Sequence, residues 1–341
     1  MTYEELIEKV QRQIKRIYKA AEQDILAAVS DYLDSFLPDE QEDTKTAEKS
    51  LLLMALKAKG LHDIAKRLYQ LNKKAKNEIN NAVPQAFADT MNQESFEIEQ
   101  DMGEDIGLFP VSPDDIEEWI DENPEVYEEG TVNERKDIKW NTQIIRNAII
   151  AGVLIGSNKL PQYVTGNVMK RNRDSMLSNA WNTISGAGEA GRQNAMLVTK
   201  SKGVEIEKEW IATLDFKTRD AHRQLDGQRV PVDRPFEVDG EEIGFPRDPS
   251  APAYLRCNCR CAMRRVRKGW VNDGERRENI RHATGDGWIK PLVPNMTYSE
   301  WYEMKVQELG EVEIQRQIKE MKREQNRKYY RKRKKRMKEG A

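Results

Sequence analysis

Trp210-Ile-Ala-Thr-Leu-Asp-Phe-Lys-Thr-Arg-Asp-Ala-His-Arg-Gln-Leu-Asp-Gly-Gln228, with Cys257-Asn-Cys-Arg-Cys261 downstream, is the stretch that decides how this chain reads. It holds all three cysteines and one of the three histidines of 341 residues. Helical periodicity stops after Gly203, and Glu205–Leu214 reads as a strand. Thr218–Leu225 reads as a short helix that Thr218 can cap, and Asp226-Gly227 as a turn. Arg229–Val232 is a short strand. Phe236–Ile243 is a hairpin turning at Asp239-Gly240, a strong signal for a two-residue loop. Arg260–Val266 closes the set. The expected result is a small α+β module over 204–270, of a size at which the core alone gives only marginal stability.

The chemistry in this stretch admits three readings. His222 with two or three of Cys257, Cys259 and Cys261 supplies three or four imidazole and thiolate donors, so a structural zinc is a candidate cofactor. The C-x-C spacing is tighter than the usual knuckle. Along a strand the three sulfurs converge on one ion only if the chain turns at Asn258. Alternatively, Cys259 and Cys261 are buried small hydrophobes, with His222 hydrogen-bonded inside the module. In the third reading His222 is a general base oriented by Asp215, Asp220 or Asp226, or pairs with a cysteine nucleophile. No hydrolase, zinc-protease or phosphate-loop signature accompanies it. Thr213, Asp215, Thr218 and Arg219 also suit a turn and cap joining strand to helix, with Arg219 pairing Asp215.

The order of the residues resembles the core of the Mu F-like minor head protein family of tailed bacteriophages. The pattern is Trp210, Ala212, Asp215, Thr218, Arg219, His222, Leu225, Asp226-Gly227, then Cys259-Arg260-Cys261. The clear part covers about 204–267, with weaker similarity back through Ser185–Met196 and forward to Thr297–Trp301. Family members often carry histidine or a small apolar residue before Asn-Cys-Arg-Cys. Arg256 and Cys257 stand there in this chain, which makes Cys257 its own feature. The resemblance implies a non-catalytic virion component. It would lie inside the head near the portal and be assembled in the host cytoplasm. Implied partners are the portal protein and packaged double-stranded DNA, with scaffold or major capsid protein as further candidates. The alternative is a metal-dependent nuclease or toxin-like enzyme using His222 and the Asp/Cys cluster. A third reading is a cytoplasmic DNA-binding adaptor unrelated to virions.

Outward from this module the chain reads as mostly helical, which makes the whole an α+β protein with an elongated helical N-terminal half. Thr2 and Glu5 form a capping-box pattern. Leu6, Val10, Ile14, Ile17, Tyr18, Ala21, Ile25 and Val29 then recur at helical spacing, predicting a helix over 3–36. A second helical run spans 45–82, with Leu51, Leu52, Met54, Ala55, Leu61, Ile64, Leu68 and Leu71 on its buried face and a break at Gly60. Gln85–Asn92 continues it after Pro84, so that 1–93 forms a helical region. Residues 94–134 read as an acidic linker, with a short helix started by Ser112-Pro113-Asp114-Asp115 and carrying Trp119. Helices over 132–158 and 163–197 follow in the region 135–203, the second interrupted near Gly186 and Gly188. A linker over 271–296 leads to 297–341, a long helix from Tyr298 to Tyr330 with a thin apolar stripe, capped by Thr297 and Glu300.

Charge is segregated although the net charge is only -2 with 33% charged residues. No Lys or Arg occurs between Lys76 and Arg135, whereas Lys328, Arg331, Lys332, Arg333, Lys334, Lys335 and Arg336 form a basic tail. Such a run repels itself unless it meets a polyanion. DNA phosphate is the natural candidate; a solvated tail and docking onto the acidic 94–134 segment are the other readings. Three closely spaced cysteines give no disulfide framework and favour a reducing compartment. The acidic N-terminus predicts no leader. The longest apolar run, Ala148–Ile155, falls short of the roughly 20 residues of a membrane span, so no membrane partner is expected.

Overall fold

The computed structural model describes residues 3–35, 59–103, 105–123, 130–154, 157, 159–267, 274–280, 282–284 and 287–339. The proposed cap at Thr2 and the stretch 45–58 of the second helical run lie outside them. The chain is a mostly helical α+β protein whose contacts divide into two units. One comprises Glu8–Asn81, Glu129–Ala180 and Glu324–Ala341; the other comprises Met1–Ile7, Ala82–Glu128 and Trp181–Arg323.

The first unit is helical. It is built from α1 (Tyr3–Asp34), α2 (Lys59–Asn80), α5 (Glu134–Leu154) and the first half of α6 (Leu160–Ser201). The apolar periodicity survives as buried faces. Val10, Ile14, Tyr18, Ile25 and Val29 line α1; Leu61, Ile64, Leu68 and Ile79 line α2; Ile144, Ile145 and Ile149 line α5. The described helix α2 opens at Lys59, beside the expected break at Gly60, and the run before it lies outside the described residues. Gly60 lies in the first turn, where an added Cβ would come within 2.4 Å of the Tyr32 ring. A polar network crosses this core. Tyr18 Oη donates to Asn72 Oδ1. Asn72 Nδ2 donates to Asp137 (2.8 Å) and Asn172 (2.7 Å), and Asn172 donates to Asn141 (2.8 Å). A satisfied buried network of this kind admits one register and penalises others, because any shift strands polar atoms in low dielectric.

The second unit begins with α3 (Val83–Met102), which starts at Pro84 in its first turn and ends on Gly103 at φ +71°. The helix therefore runs ten residues past Asn92, into the segment read as acidic linker. Its acids are not merely solvated: Glu94 is 5% exposed. Arg192 (3.1 Å) and Arg265 (2.5 Å) bind it, and Arg265 also reaches Glu97 and Asp101. The short helix α4 (Pro113–Glu122) forms as expected, with Ser112 and Asp115 completing a capping box, and Trp119 packs on Phe87 at 5.6 Å between centroids.

The predicted interruption of the long helix does not occur; α6 is continuous through Gly186 and Gly188. Each glycine costs a helix roughly 0.5–1 kcal/mol relative to alanine, and close packing offsets it. A Cβ at Gly191 would sit 2.3 Å from the Phe87 carbonyl oxygen, and one at Gly186 would sit 3.1 Å from that of Arg247.

The α+β part follows. Strand β1 (Ile206–Ile211) is central in an antiparallel sheet of order β2-β1-β5, with β2 at Arg229–Pro231 and β5 at Ala262–Arg267. Glu209 is registered against Arg229 on one side and Arg264 on the other. Both pair with its carboxylate, at 3.2 and 3.0 Å. Strands β3 (Phe236–Val238) and β4 (Glu241–Ile243) make the expected hairpin. Asp239 (φ +53°) and Gly240 (φ +80°) supply the left-handed pair that its turn requires. Two short helices, α7 (Asp220–Leu225) and α8 (Ala253–Arg256), complete this layer.

Residues 271–296 are not a plain linker. They hold β6 (Glu275–Arg277), β7 (His282–Thr284), β8 (Gly287–Ile289) and β9 (Leu292–Pro294), paired β6-β9 and β7-β8. The expected single C-terminal helix is two, α9 (Tyr298–Leu309) and α10 (Glu311–Glu339), parted by Gly310 at φ +79°. Thr297 and Glu300 do form the capping box. Tyr298, Trp301 and Ile314 bury against Leu214, Phe216 and Val293. The core of the module therefore extends past its expected limit at 270.

Candidate functional site

The chain leaves β1 at Ile211 and returns through α7, which carries His222; the loop from Cys257 to Cys261 passes beside it. Asn258 adopts φ +54°, the turn that lets alternate cysteines converge. Cys259 and Cys261 are buried, Cys257 is exposed, and β5 starts only at Ala262. The three cysteines are therefore not strung along a strand, and Cys257 does not join the other two. His222 Nε2 lies 2.8 Å from the Leu255 carbonyl, and Nδ1 lies 3.1 Å from Cys261 Sγ and 3.7 Å from Cys259 Sγ. A carbonyl oxygen only accepts, so Nε2 carries the hydrogen and Nδ1 turns its lone pair to the sulfurs.

The sulfurs are unlike. Cys259 is held well below the ordinary thiol range by its hydrogen bond from Cys261, against the effect of burial and with help from Arg247. Cys261 is pushed well above it by burial and by the neighbouring Cys259. One proton shared by two buried sulfurs has this signature.

The remaining motif residues lock the same loops together. Asp215 takes two hydrogen bonds from the Arg260 guanidinium and one from Asn279 (2.8 Å). Burial pushes its carboxyl up, but Arg260 and Asn279 outweigh burial and leave it below the usual range. Arg219 does not pair with Asp215. Its guanidinium donates to the Tyr254 carbonyl and, at 2.9 Å, to that of Cys257. Thr218 does not cap α7; its hydroxyl donates to the Thr213 carbonyl at 2.5 Å, while Arg219 occupies the cap position without a side-chain bond. Trp210 is fully buried, edge-on to His222 (5.8 Å) and to Phe236 (5.3 Å). Gly227, at φ +78°, returns its N–H to the Trp210 carbonyl at 2.9 Å.

Of the acid/base reading, the contact of His222 with a cysteine is present, whereas the orienting carboxylates are turned elsewhere. Both ring nitrogens of His222 are engaged by the cysteines and Leu255, Asp215 binds Arg260, and Asp220 is exposed beside Arg223. Asp226 pairs with Arg276 at 2.8 Å. Arg276, Asn279 and Glu278 went unread because their segment passed for a linker; only the charged run Glu275-Arg276-Arg277-Glu278 hinted at them. The side chains of Lys328 and Arg331–Arg336 lie outside the described residues, although their backbone is part of α10.

Lys208 is a further buried group, 1% exposed. Its ammonium donates to the Gly244 carbonyl (2.7 Å) and Gln193 (3.2 Å) and lies over the Phe236 ring. Burial lowers it to about 8, against the pull of Asp248 and Asp233. Between that value and the ordinary 10.5 the unfolded chain binds more protons than the folded one, so stability contributed at this position rises with pH. Relative to Lys208→Met, the wild type gains about 1.4 kcal/mol per pH unit across this window. Urea unfolding at several pH values measures the difference, and parallel profiles would refute the assignment.

Comparison with known proteins bears out the resemblance. Residues 143–264 match the family described as phage Mu protein F like protein, so the chain carries a Mu F-like region. That region begins in α5, well before the motif core. The chain is 27% identical over 236 residues to the minor head protein GP7 of Bacillus phage SPP1, covering 67% of this chain and 71% of that one. It is also 32% identical over 120 residues to an NAD(+)--arginine ADP-ribosyltransferase, EFV, of Enterococcus faecalis. That match spans 33% of this chain and only 23% of the relative. No solved structure matches. Among the described residues, no helix is long and apolar enough to cross a membrane.

Proposed function

We propose that the protein is a minor structural component of a tailed-phage head, incorporated during procapsid assembly in the host cytoplasm. In this reading it binds the portal protein and touches packaged DNA, with scaffold or major capsid protein as further contacts. The observation that carries it is the likeness to a minor head protein across two thirds of both chains. The state of the motif supports it: Asp215, Arg219 and Asp226 are spent on guanidinium and carbonyl contacts that tie the module's segments together. A catalytic reading has the likeness to the ADP-ribosyltransferase in its favour, but that likeness spans less than a quarter of the relative. The basic tail suits DNA because lysine and arginine release counterions from phosphate without demanding sequence.

Native mass spectrometry with the portal protein encoded nearest to its gene tests this role. A portal complex is expected, and it should survive deletion of 322–341. The same deletion should lower DNA affinity and flatten its salt dependence, by roughly 0.9 in log–log slope for each phosphate that the tail no longer neutralises. Failure to bind portal would remove the head role, and unchanged affinity and slope would remove the tail from the DNA contact.

A further inference from the structure

The buried donor set formed by His222, Cys259 and Cys261 is not explained by a head role, and its geometry points to a metal. Its three ligand atoms lie within 4.8 Å of one another, and all three residues are buried. Around a tetrahedral zinc ion, with Zn–S near 2.3 Å and Zn–N near 2.05 Å, imidazole nitrogen and thiolate sulfur stand about 3.6 Å apart. The distances from Nδ1, 3.1 and 3.7 Å, bracket that value. The imidazole is also oriented as a ligand. Metal-bound histidines donate their second N–H to a carbonyl or carboxylate, and Nε2–H donates to the Leu255 carbonyl.

The sulfurs are surrounded by N–H donors of the kind that favours thiolate. The Cys261 amide points at Cys259 Sγ at 3.4 Å. The buried Trp210 indole packs in the same cluster as both cysteines, and no hydrogen bond occupies its N–H among the described residues. The chain turn at Asn258 brings both sulfurs to the same side of His222 while leaving Cys257 in solvent.

We propose that His222 Nδ1 and the Cys259 and Cys261 thiolates bind one thiophilic divalent ion of the zinc class, with water in the fourth position. Two thiolates and a neutral imidazole balance the charge of the ion, and binding releases the thiol protons. The ion joins α7 to the Cys257–Cys261 loop and so staples the module. Cys257 is not a ligand.

The test uses the full chain, freed of metal by dialysis against chelator and titrated with zinc(II) or cobalt(II) alone. One cobalt per chain is expected, with sulfur-to-cobalt charge-transfer absorption and the intense visible bands of tetrahedral geometry. Zinc should displace it, raise Tm, and shield two of the three thiols from a thiol reagent until chelator is added. Cys257→Ser should keep all of this, whereas Cys259→Ser and Cys261→Ser should lose the bands. If those two variants fail to fold, uptake and thiol shielding in the wild type and Cys257→Ser decide alone. Folded wild type that takes up neither ion would overturn the proposal. So would loss of binding in Cys257→Ser, or retained bands in a folded Cys259→Ser protein.

Discussion

Replacing Asp226 with alanine is expected to destabilise the protein by about 3–5 kcal/mol, the cost of stranding one member of a buried ion pair. The Asp226 side chain is fully buried and Arg276 nearly so. One carboxylate serves three elements. It accepts the Ala212 amide at the end of β1, the Tyr298 amide at the start of α9, and both guanidinium nitrogens of Arg276 on β6, at 2.8 and 3.0 Å. Without it, Arg276 keeps, among the described residues, the Met296 and Ala212 carbonyls and an uncompensated charge. Urea unfolding should show the loss in midpoint. A double replacement, Asp226→Ala with Arg276→Met, should recover part of it, since no buried charge is left unpaired. A double variant less stable than Asp226→Ala alone would contradict the argument.

Trp210→Ala should cost a similar amount, about 3–5 kcal/mol for a fully buried large aromatic. The indole is wedged between Phe236 and His222 and packs in the cluster that holds Leu225, Leu255, Cys259 and Cys261. The cavity left behind cannot collapse easily, because the sheet on one side and the hydrogen-bonded cysteine loop on the other are both fixed. The buried thiols report the change: Cys259 and Cys261 should react with a thiol reagent faster by the factor by which the open population rises. Leu309→Ala, at an exposed position, should stay within about 0.5 kcal/mol of wild type. Equal effects of the two substitutions would mean that Trp210 is not the keystone of this core.

Much of this structure could be read from the sequence where a local signal coincides with a tertiary one. The α1 and α2 faces follow the 3.6-residue period because each buries one stripe. Ser112 and Thr297 announce their helices because a capping box is chemistry within four residues. Asp239-Gly240 gives its hairpin for the same reason. The failures are tertiary. Gly186 and Gly188 look like breaks, yet they allow a close approach, of the Arg247 backbone at the first and the Thr90 side chain at the second, that no local pattern reveals. Strands β6 to β9 are three residues each, too short for alternation to register. The acids of α3 looked like a solvated block because their partner, Arg265, lies far away in the chain.

The site was legible in part. The gathering of His222 with Cys259 and Cys261 was expected, and so was the need for a turn at Asn258. Whether two or three cysteines would gather was left open, because register within a five-residue loop depends on the φ of one residue. The partners of Asp215, Arg219 and Asp226 were misassigned or missed because two of them, Arg260 and Arg276, act from strands and loops distant in sequence.

The most direct measurement is quantitative mass spectrometry of purified heads from the phage or prophage that encodes this chain, separated into DNA-free procapsids and filled particles. A head component appears in both at a fixed, low ratio to the major capsid protein and together with the portal. Its absence from both classes, with the protein abundant in the lysate, would contradict the proposed role.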